Sequence, residues 1–157
     1  IEIDNYYNTS RMNLALLQYT TGNVEEAEKL YLKVIEIEPD FSYSYYMLGL
    51  LYNETGQSEK SMEYLEKACS KEPINVNAFY NYALKLQEIG SNEKSLIIVD
   101  KALKSMPINE RLLYVKLIGL INLNRTMEAY AICQTLVNIA PNNPSYQQLL
   151  GQLKQGL

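Results

Sequence analysis

Four prolines recur at a constant interval of 34 residues, and this period constrains the fold more than any other feature of the sequence. They are Pro39, Pro73, Pro107 and Pro141. Proline ends a helix because it lacks a backbone N–H and its ring clashes with the preceding turn. The same interval separates residues that tolerate the left-handed backbone closing a helix, at Gly22, Gly56, Gly90 and Asn124. The period therefore predicts four units, each with a helix, a Gly or Asn turn, a second helix and a proline turn.

Apolar residues within each unit recur every three or four positions, which is typical of helices with one buried face. In the second unit they are Tyr45, Leu48, Leu51 and Tyr52, then Met62, Leu65, Ala68 and Cys69. No segment sustains the alternation of apolar and polar residues that marks a strand, so we expect none. We predict that polar side chains cap the second helices, at Ser58, Asn92 and Thr126.

Composition and charge favour one globular domain and exclude two classes of partner. Apolar residues make up 47% of the 157 residues, enough for a core. No apolar run approaches the length of a membrane-spanning helix. The net charge is −4, and lysines and arginines are dispersed among acids instead of forming the basic face that binds phosphates. We therefore expect no nucleic-acid partner and no membrane contact by this segment.

The chain contains no histidine, which removes the commonest general base and the commonest metal ligand. Its two cysteines, Cys69 and Cys133, belong to no paired ligand motif and occupy apolar helical positions. The acids fall mostly on the second helices, where a solvated face explains them. We therefore predict that the chain is not an enzyme and has no catalytic residue, metal or cofactor.

The repeating pattern resembles the tetratricopeptide repeat (TPR) family over residues 8–157. The second unit matches the family's aromatic, Leu-Gly, small and proline positions at Tyr45, Leu48-Gly49, Tyr52, Gly56, Ser61, Leu65, Ala68 and Pro73. The resemblance implies an all-α fold, a right-handed α-solenoid of four helix-turn-helix repeats with a C-terminal capping helix. The predicted repeats are about 8–41, 42–75, 76–109 and 110–143, and the capping helix is about 145–155.

We expect these repeats to form a single TPR domain over residues 1–157. The sequence has no initiator Met, so we expect it to be a fragment of a longer protein. The fourth unit departs from the family, because Lys116-Leu117 replaces the Leu-Gly pair. We expect the bulky Leu117 to splay that hairpin or to shift its register.

In this family the first helices line a concave groove that binds extended peptides or helices. Projected onto this sequence, the repeat places tyrosines, aliphatic residues and amides there. The predicted partner-binding residues are Met12, Leu16, Tyr46, Met47, Leu50, Tyr80, Asn81, Leu84, Tyr114 and Ile118. Tyrosine combines a large contact area with a polar tip, and contiguous exposed aliphatic surface marks interaction sites. Packing between repeats explains the same residues without a partner, so both interpretations stay open.

The leading hypothesis is a scaffold that binds an apolar peptide, a helix or a neighbouring domain of its parent protein. One alternative is an accessory region of a larger enzyme or electron-transfer protein, since the chain from Pro39 onward loosely resembles C-terminal TPR regions of bacterial multihaem cytochromes. The other is homo-oligomerisation through the groove or an exposed end. We expect a soluble bacterial segment, cytoplasmic or periplasmic.

Overall fold

A computed structural model of the chain describes residues 2–156, with side chains from residue 8 onward. Helices dominate this described part, which contains no strand and only one isolated bridge, between Phe41 and Glu72. The helices are α1 Glu2–Thr20, α2 Val24–Ile37, α3 Ser42–Glu54, α4 Ser58–Ala68, α5 Val76–Glu88, α6 Asn92–Leu103, α7 Glu110–Asn122, α8 Thr126–Ile139 and α9 Pro144–Gln155. The prediction of an all-α fold of successive helices that ends in a further helix is confirmed.

The periodic turn residues adopt the left-handed backbone predicted for them. The φ angles are 84° at Gly22, 74° at Gly56, 76° at Gly90 and 57° at Asn124. Each second helix ends before its proline, as α2 does at Ile37 ahead of Pro39. A residue other than glycine is strained at a positive φ, and Asn, which stands at position 124, is one of the few types that tolerate it.

The prediction of polar caps on the second helices is wrong by one position. Ser58, Asn92 and Thr126 are the first helical residues, and the positions before them make no side-chain capping bond. Side-chain caps stand elsewhere: Asn109 accepts a hydrogen bond from the Leu112 N–H of α7, and Asn143 accepts one from the Ser145 N–H of α9. In these hairpins the Gly or Asn turn leads into the second helix, and no side chain caps the start of that helix.

The chain divides into two compact units, Ile1–Ala78 and Phe79–Leu157. Unit 1 packs α2 against α3 around a core that includes the fully buried Tyr31, Leu48 and Leu51. Helices α3 and α4 of this unit approach closely at Gly49, where an added β-carbon would lie 2.7 Å from Leu65 Cγ. The single domain and the repeat boundaries predicted above stay predictions.

A hydroxyl bond repeats with the sequence period in the two units. Ser61 donates to the Gly49 carbonyl at 2.8 Å in unit 1, and Ser95 donates to the Ala83 carbonyl at 3.1 Å in unit 2. Both hydroxyls are buried, so each joins a second helix to its first helix where the backbones approach. A buried hydroxyl needs such an acceptor, which explains why serine recurs at this position.

Unit 2 is built around α7, α8 and α9. Leu117, Leu120 and Cys133 are buried there, and Tyr146 of α9 packs onto the same cluster. The Tyr146 hydroxyl donates to Glu110 Oε1 at 2.9 Å. Cys69 and Cys133 are both buried, as their apolar positions predicted, and neither forms a disulfide.

Candidate functional site

An open groove lies along the first helices of unit 1, with a volume of about 450 Å³. It is bounded by α1, the segment before α3, and α3 itself. Its lining residues are Asn8, Thr9, Met12, Asn13, Glu38, Phe41 and Tyr43. Met12, Phe41 and Tyr43 supply its apolar surface, and the other four lining residues are polar.

The polar end of the groove is held by a short hydrogen-bond chain. Arg11 Nη1 donates to Asn8 Oδ1 at 2.7 Å, and Asn8 Nδ2 donates to Glu38 Oε1 at 2.5 Å. The buried Asn8 amide is therefore occupied in positioning α1 beside the end of α2. Because Asn13 is exposed on the same helix, its amide is the one placed to meet a ligand.

The predicted partner-binding residues of unit 1 fall into two groups. Leu16 is 38% exposed, and Tyr46 and Leu50 are half-buried against the core. Met12 and Met47 are only 7% and 4% exposed and belong to that core. The Met12 sulfur accepts a contact from Ser44 Oγ at 3.4 Å, which fixes it between α1 and α3. These two methionines therefore offer a partner little surface, although Met12 borders the groove.

Two aromatic residues that line the groove were not among the predicted partner-binding residues. Tyr43 is 38% exposed and its ring lies 6.1 Å from that of Tyr46, centroid to centroid. Phe41 packs edge-on against Tyr43 at 6.3 Å. A signal was present for Tyr43, since it stands one 34-residue period after Thr9 and one turn before Met47. The predicted positions on α3 began at Tyr46, one helical turn after Tyr43.

The first helices of unit 2 present a second surface of different chemistry. Tyr80, Asn81, Leu84 and Ile118 are half-buried, and Tyr114 is exposed. The guanidinium of Arg111 lies 4.0 Å from the centroid of the Tyr80 ring, a cation–π contact. The Tyr114 ring lies 6.0 Å from that of Tyr146. This surface therefore combines aromatic rings with a fixed positive charge.

Burial keeps the structural tyrosines and a thiol protonated. It raises the pKa of Tyr31 to about 12, with a smaller contribution from Tyr43. Burial, followed by the hydrogen bond to Glu110, raises the pKa of Tyr146 to about 12. Burial also raises the pKa of the Cys133 thiol. None of these groups is an activated nucleophile at neutral pH, since a nucleophile needs a lowered pKa or an adjacent base.

No cluster of three or more His, Cys, Asp or Glu side chains within residues 2–156 is arranged to hold a metal ion. No helix in that range is both long enough and apolar enough to cross a membrane.

Comparisons with family models match the first part of the chain. Two models of the tetratricopeptide repeat match residues 9–41 and residues 30–63. A sequence search of curated proteins finds no match.

Solved structures with similar folds cover most of the chain. A structure of MamA has a TM-score of 0.78 at 18% identity, covering 95% of this chain and 81% of that one. MamA from Desulfovibrio magneticus RS-1 has a TM-score of 0.74 at 18% identity, covering 93% and 82%. YrrB, described as a TPR protein with an unusual peptide-binding site, has a TM-score of 0.75 at 19% identity, covering 91% and 74%. At these identities the likeness shows the fold.

Proposed function

We propose that this chain is a protein-interaction scaffold of the tetratricopeptide repeat type, whose first helices bind an apolar peptide or helix. The observation that carries the proposal is the open groove of unit 1, about 450 Å³ in volume. Ligand sites are concave and mostly apolar, with a few polar groups that set orientation. A groove with Tyr43 on one side and Asn13 on the other has this character.

The exposed side chains beside the groove support an apolar ligand. Leu16 and Tyr43 are each more than a third exposed, and Tyr46 and Leu50 are accessible in part. Covering apolar area yields about 25 cal/mol per Å². Tyrosine adds large contact area at a small cost in side-chain entropy and is enriched where binding energy concentrates. We infer that an apolar side chain of the ligand occupies the groove against Tyr43 and that Leu16 extends the contact.

The surface of unit 2 supports a ligand contact of its own. Arg111 stacked on Tyr80 presents a guanidinium whose orientation is set by the ring. Such a pair suits a carbonyl or carboxylate of a peptide, while Tyr114 offers aromatic area nearby on the same helix as Arg111. The similar protein YrrB is described as having a peptide-binding site, and we extend peptide binding to this chain as part of the proposal.

We further infer that binding is the activity of this chain and that it is not an enzyme. It has no histidine, and both cysteines are buried. Burial raises the pKa of the Cys133 thiol, which disfavours the reactive thiolate.

The proposal is tested with peptides selected from a random display library on the full chain. The tightest peptide is titrated by fluorescence anisotropy against the wild type, Leu16→Asn and Tyr43→Ala. We expect each substitution to weaken binding roughly tenfold, which corresponds to about 1.4 kcal/mol. The matched control is Leu17→Asn, because Leu17 is a more exposed leucine on the next position of the same helix.

The control should bind like the wild type, and circular dichroism should show unchanged helicity in all variants. Selection of no peptide, or equal affinity across the groove variants and the control, contradicts the proposed site.

A further inference from the structure

The groove of unit 1 adjoins a second opening whose charged side chains are all acidic. This opening has a volume of about 480 Å³; we call it the acidic extension, lined by Glu38, Pro39, Asp40, Phe41, Glu72 and Pro73. Glu38 and Phe41 line the groove as well, so the two openings share a wall. Three of the six lining residues carry a carboxylate and none carries a positive charge. A ligand in the groove therefore meets negative charge at this end.

The sequence period brings the carboxylates of the acidic extension together. Glu38 and Glu72 stand one 34-residue period apart, each directly before a proline, whereas a methionine and an alanine precede the two later prolines. The Ser42 N–H donates to the Glu72 carbonyl at 2.9 Å, and the Glu72 N–H donates to the Asp40 carbonyl at 3.0 Å. These backbone bonds join the two segments, so the acidic extension is a fixed part of unit 1.

Two of the three carboxylates have no cation of the chain beside them. Glu38 Oε1 accepts a hydrogen bond from the uncharged Asn8 amide at 2.5 Å. Arg11 Nη1 donates to the oxygen of that same amide at 2.7 Å, so Asn8 stands between the guanidinium and Glu38. Glu72 is exposed, and within the described residues no lysine or arginine forms an ion pair with it or with Glu38. A cation carried by a ligand would therefore find both carboxylates available.

The chain itself shows how a carboxylate and an aromatic ring together hold a cation. Lys71 Nζ lies 2.9 Å from Asp40 Oδ1 and 5.6 Å from the centroid of the Tyr45 ring. Lys67 Nζ repeats the arrangement on α4, with a carboxylate of the same helix at 2.6 Å and a tyrosine ring at 4.8 Å. The carboxylate supplies a charge-assisted hydrogen bond, and the ring supplies a cation–π contact.

The same two components adjoin in the acidic extension. Phe41 is half-buried and lines both openings together with Glu38. Its ring packs edge-on against Tyr43, which lines the groove and is 38% exposed. Apolar area for a ligand side chain and a pairing site for a cation are thus neighbours in unit 1.

From this lining and this charge we propose that the ligand of the groove is a basic peptide, with a lysine or arginine next to the apolar side chain that packs against Tyr43. The cation enters the acidic extension and contacts the Phe41 ring and the carboxylates of Glu38 and Glu72. The inference rests on the proposed function and adds the charge of the partner to it. An acidic residue of a ligand at this place would meet like charges, which disfavours binding.

A peptide cation suits these carboxylates better than a metal ion does. No three acidic side chains within the part of the chain that the structure describes are arranged to hold a metal. Calcium takes about six to eight oxygen ligands around one point. An ammonium or guanidinium donates several separate hydrogen bonds, so it can pair with carboxylates that stand apart.

The test uses the peptide selected on the full chain and a copy in which its lysine or arginine is replaced by glutamine. Both are titrated by fluorescence anisotropy. We expect the copy to bind the wild type about fivefold more weakly, because an ion pair and a cation–π contact are lost. The Glu38→Gln/Glu72→Gln variant should weaken binding of the selected peptide to a similar extent and should bind both peptides alike. Glutamine can still accept the hydrogen bond from Asn8, so the variant should keep its fold, which its helicity and Tm verify.

The matched control is Glu25→Gln/Glu26→Gln, which removes the same amount of charge from exposed acids at the opposite end of α2 from Glu38. It should bind the selected peptide like the wild type. Equal weakening in the control and in Glu38→Gln/Glu72→Gln would overturn the inference, because the attraction would then be to the overall negative charge.

Two further results overturn the inference. The first is a selected peptide that has no cation or that binds no better than its glutamine copy. The second is saturable binding of Ca²⁺ in calorimetry that Glu38→Gln/Glu72→Gln abolishes, because the occupant would then be a metal ion. Failure of the proposed function looks different, since Tyr43→Ala would then bind the selected peptide like the wild type.

Discussion

Gly49 shows at the scale of one residue how closely the hairpins are packed. A β-carbon there would meet Leu65 Cγ at 2.7 Å and Cδ2 at 2.8 Å, and Leu65 is itself buried. Real β-carbons do not approach so closely, so the helices or the leucine must shift.

We therefore expect Gly49→Ala to lower the free energy of unfolding by about 1–3 kcal/mol, as overpacking does in other cores. Urea denaturation measures the change. The matched control is Gly151→Ala, because Gly151 lies within α9 and a β-carbon there meets nothing within 4 Å. That substitution should stabilise by up to about 1 kcal/mol through helix propensity. Equal effects of the two substitutions would show that the close crossing is not a constraint.

Two buried tyrosines differ in whether their hydroxyl has a partner. The Tyr31 hydroxyl is buried without a hydrogen-bond partner among the described residues, whereas the Tyr146 hydroxyl donates to Glu110 at 2.9 Å. An unpaired buried hydroxyl is costly, and a satisfied one contributes a net hydrogen bond.

Tyr31→Phe should thus raise the free energy of unfolding by about 1 kcal/mol, and Tyr146→Phe should lower it by about 1 kcal/mol. The pair is compared by urea denaturation at neutral pH, where both phenols are protonated. A loss of stability in Tyr31→Phe would mean that this hydroxyl is satisfied.

At the scale of the element, the turns decide where each helix ends. Gly22, Gly56 and Gly90 adopt positive φ without steric cost, whereas Asn124 does so with a β-carbon present. The fourth hairpin therefore relies on the one residue type, besides glycine, that best tolerates this region.

We expect Asn124→Ala to destabilise the chain by about 1–2 kcal/mol, because alanine has no local hydrogen bond to offset the strain. Asn124→Gly should be neutral or slightly stabilising. Thermal unfolding of the two variants distinguishes them. Equal Tm values for both would contradict a left-handed turn at this position.

The helices could be located from the sequence because their boundaries rest on local chemistry. Proline and the left-handed turn residues act within a few positions of themselves, so their period marked where each helix stops. The caps at Ser58, Asn92 and Thr126 were misplaced by one residue, because a polar residue near a helix start does not reveal whether it lies before or inside the first turn.

The candidate site could be predicted only in part, because exposure depends on packing between helices. The predicted aliphatic and tyrosine positions lie on the first helices and stay predictions as binding residues, whereas Met12 and Met47 are buried in the core. The thioether is flexible and fills gaps between helices, so its position in the repeat does not reveal which way it points.

On the scale of the whole molecule, separate surfaces are proposed to bind separate parts of a ligand. The groove of unit 1 is proposed to bind an apolar peptide, and the Arg111–Tyr80 surface of unit 2 is proposed to bind a polar part of a ligand. Binding of a segment of a larger enzyme to these surfaces would favour an accessory role. Binding of a second copy would favour homo-oligomerisation.

Amide chemical-shift mapping of the full chain shows whether the first-helix groove is the site at which a peptide binds. Addition of the peptide selected on the chain should shift the amides of Thr9, Asn13, Leu16 and Tyr43, the residues in or beside the groove. The exposed positions of α9 should not move. Shifts confined to α9 or to the second helices, with the groove amides unchanged, would contradict the account.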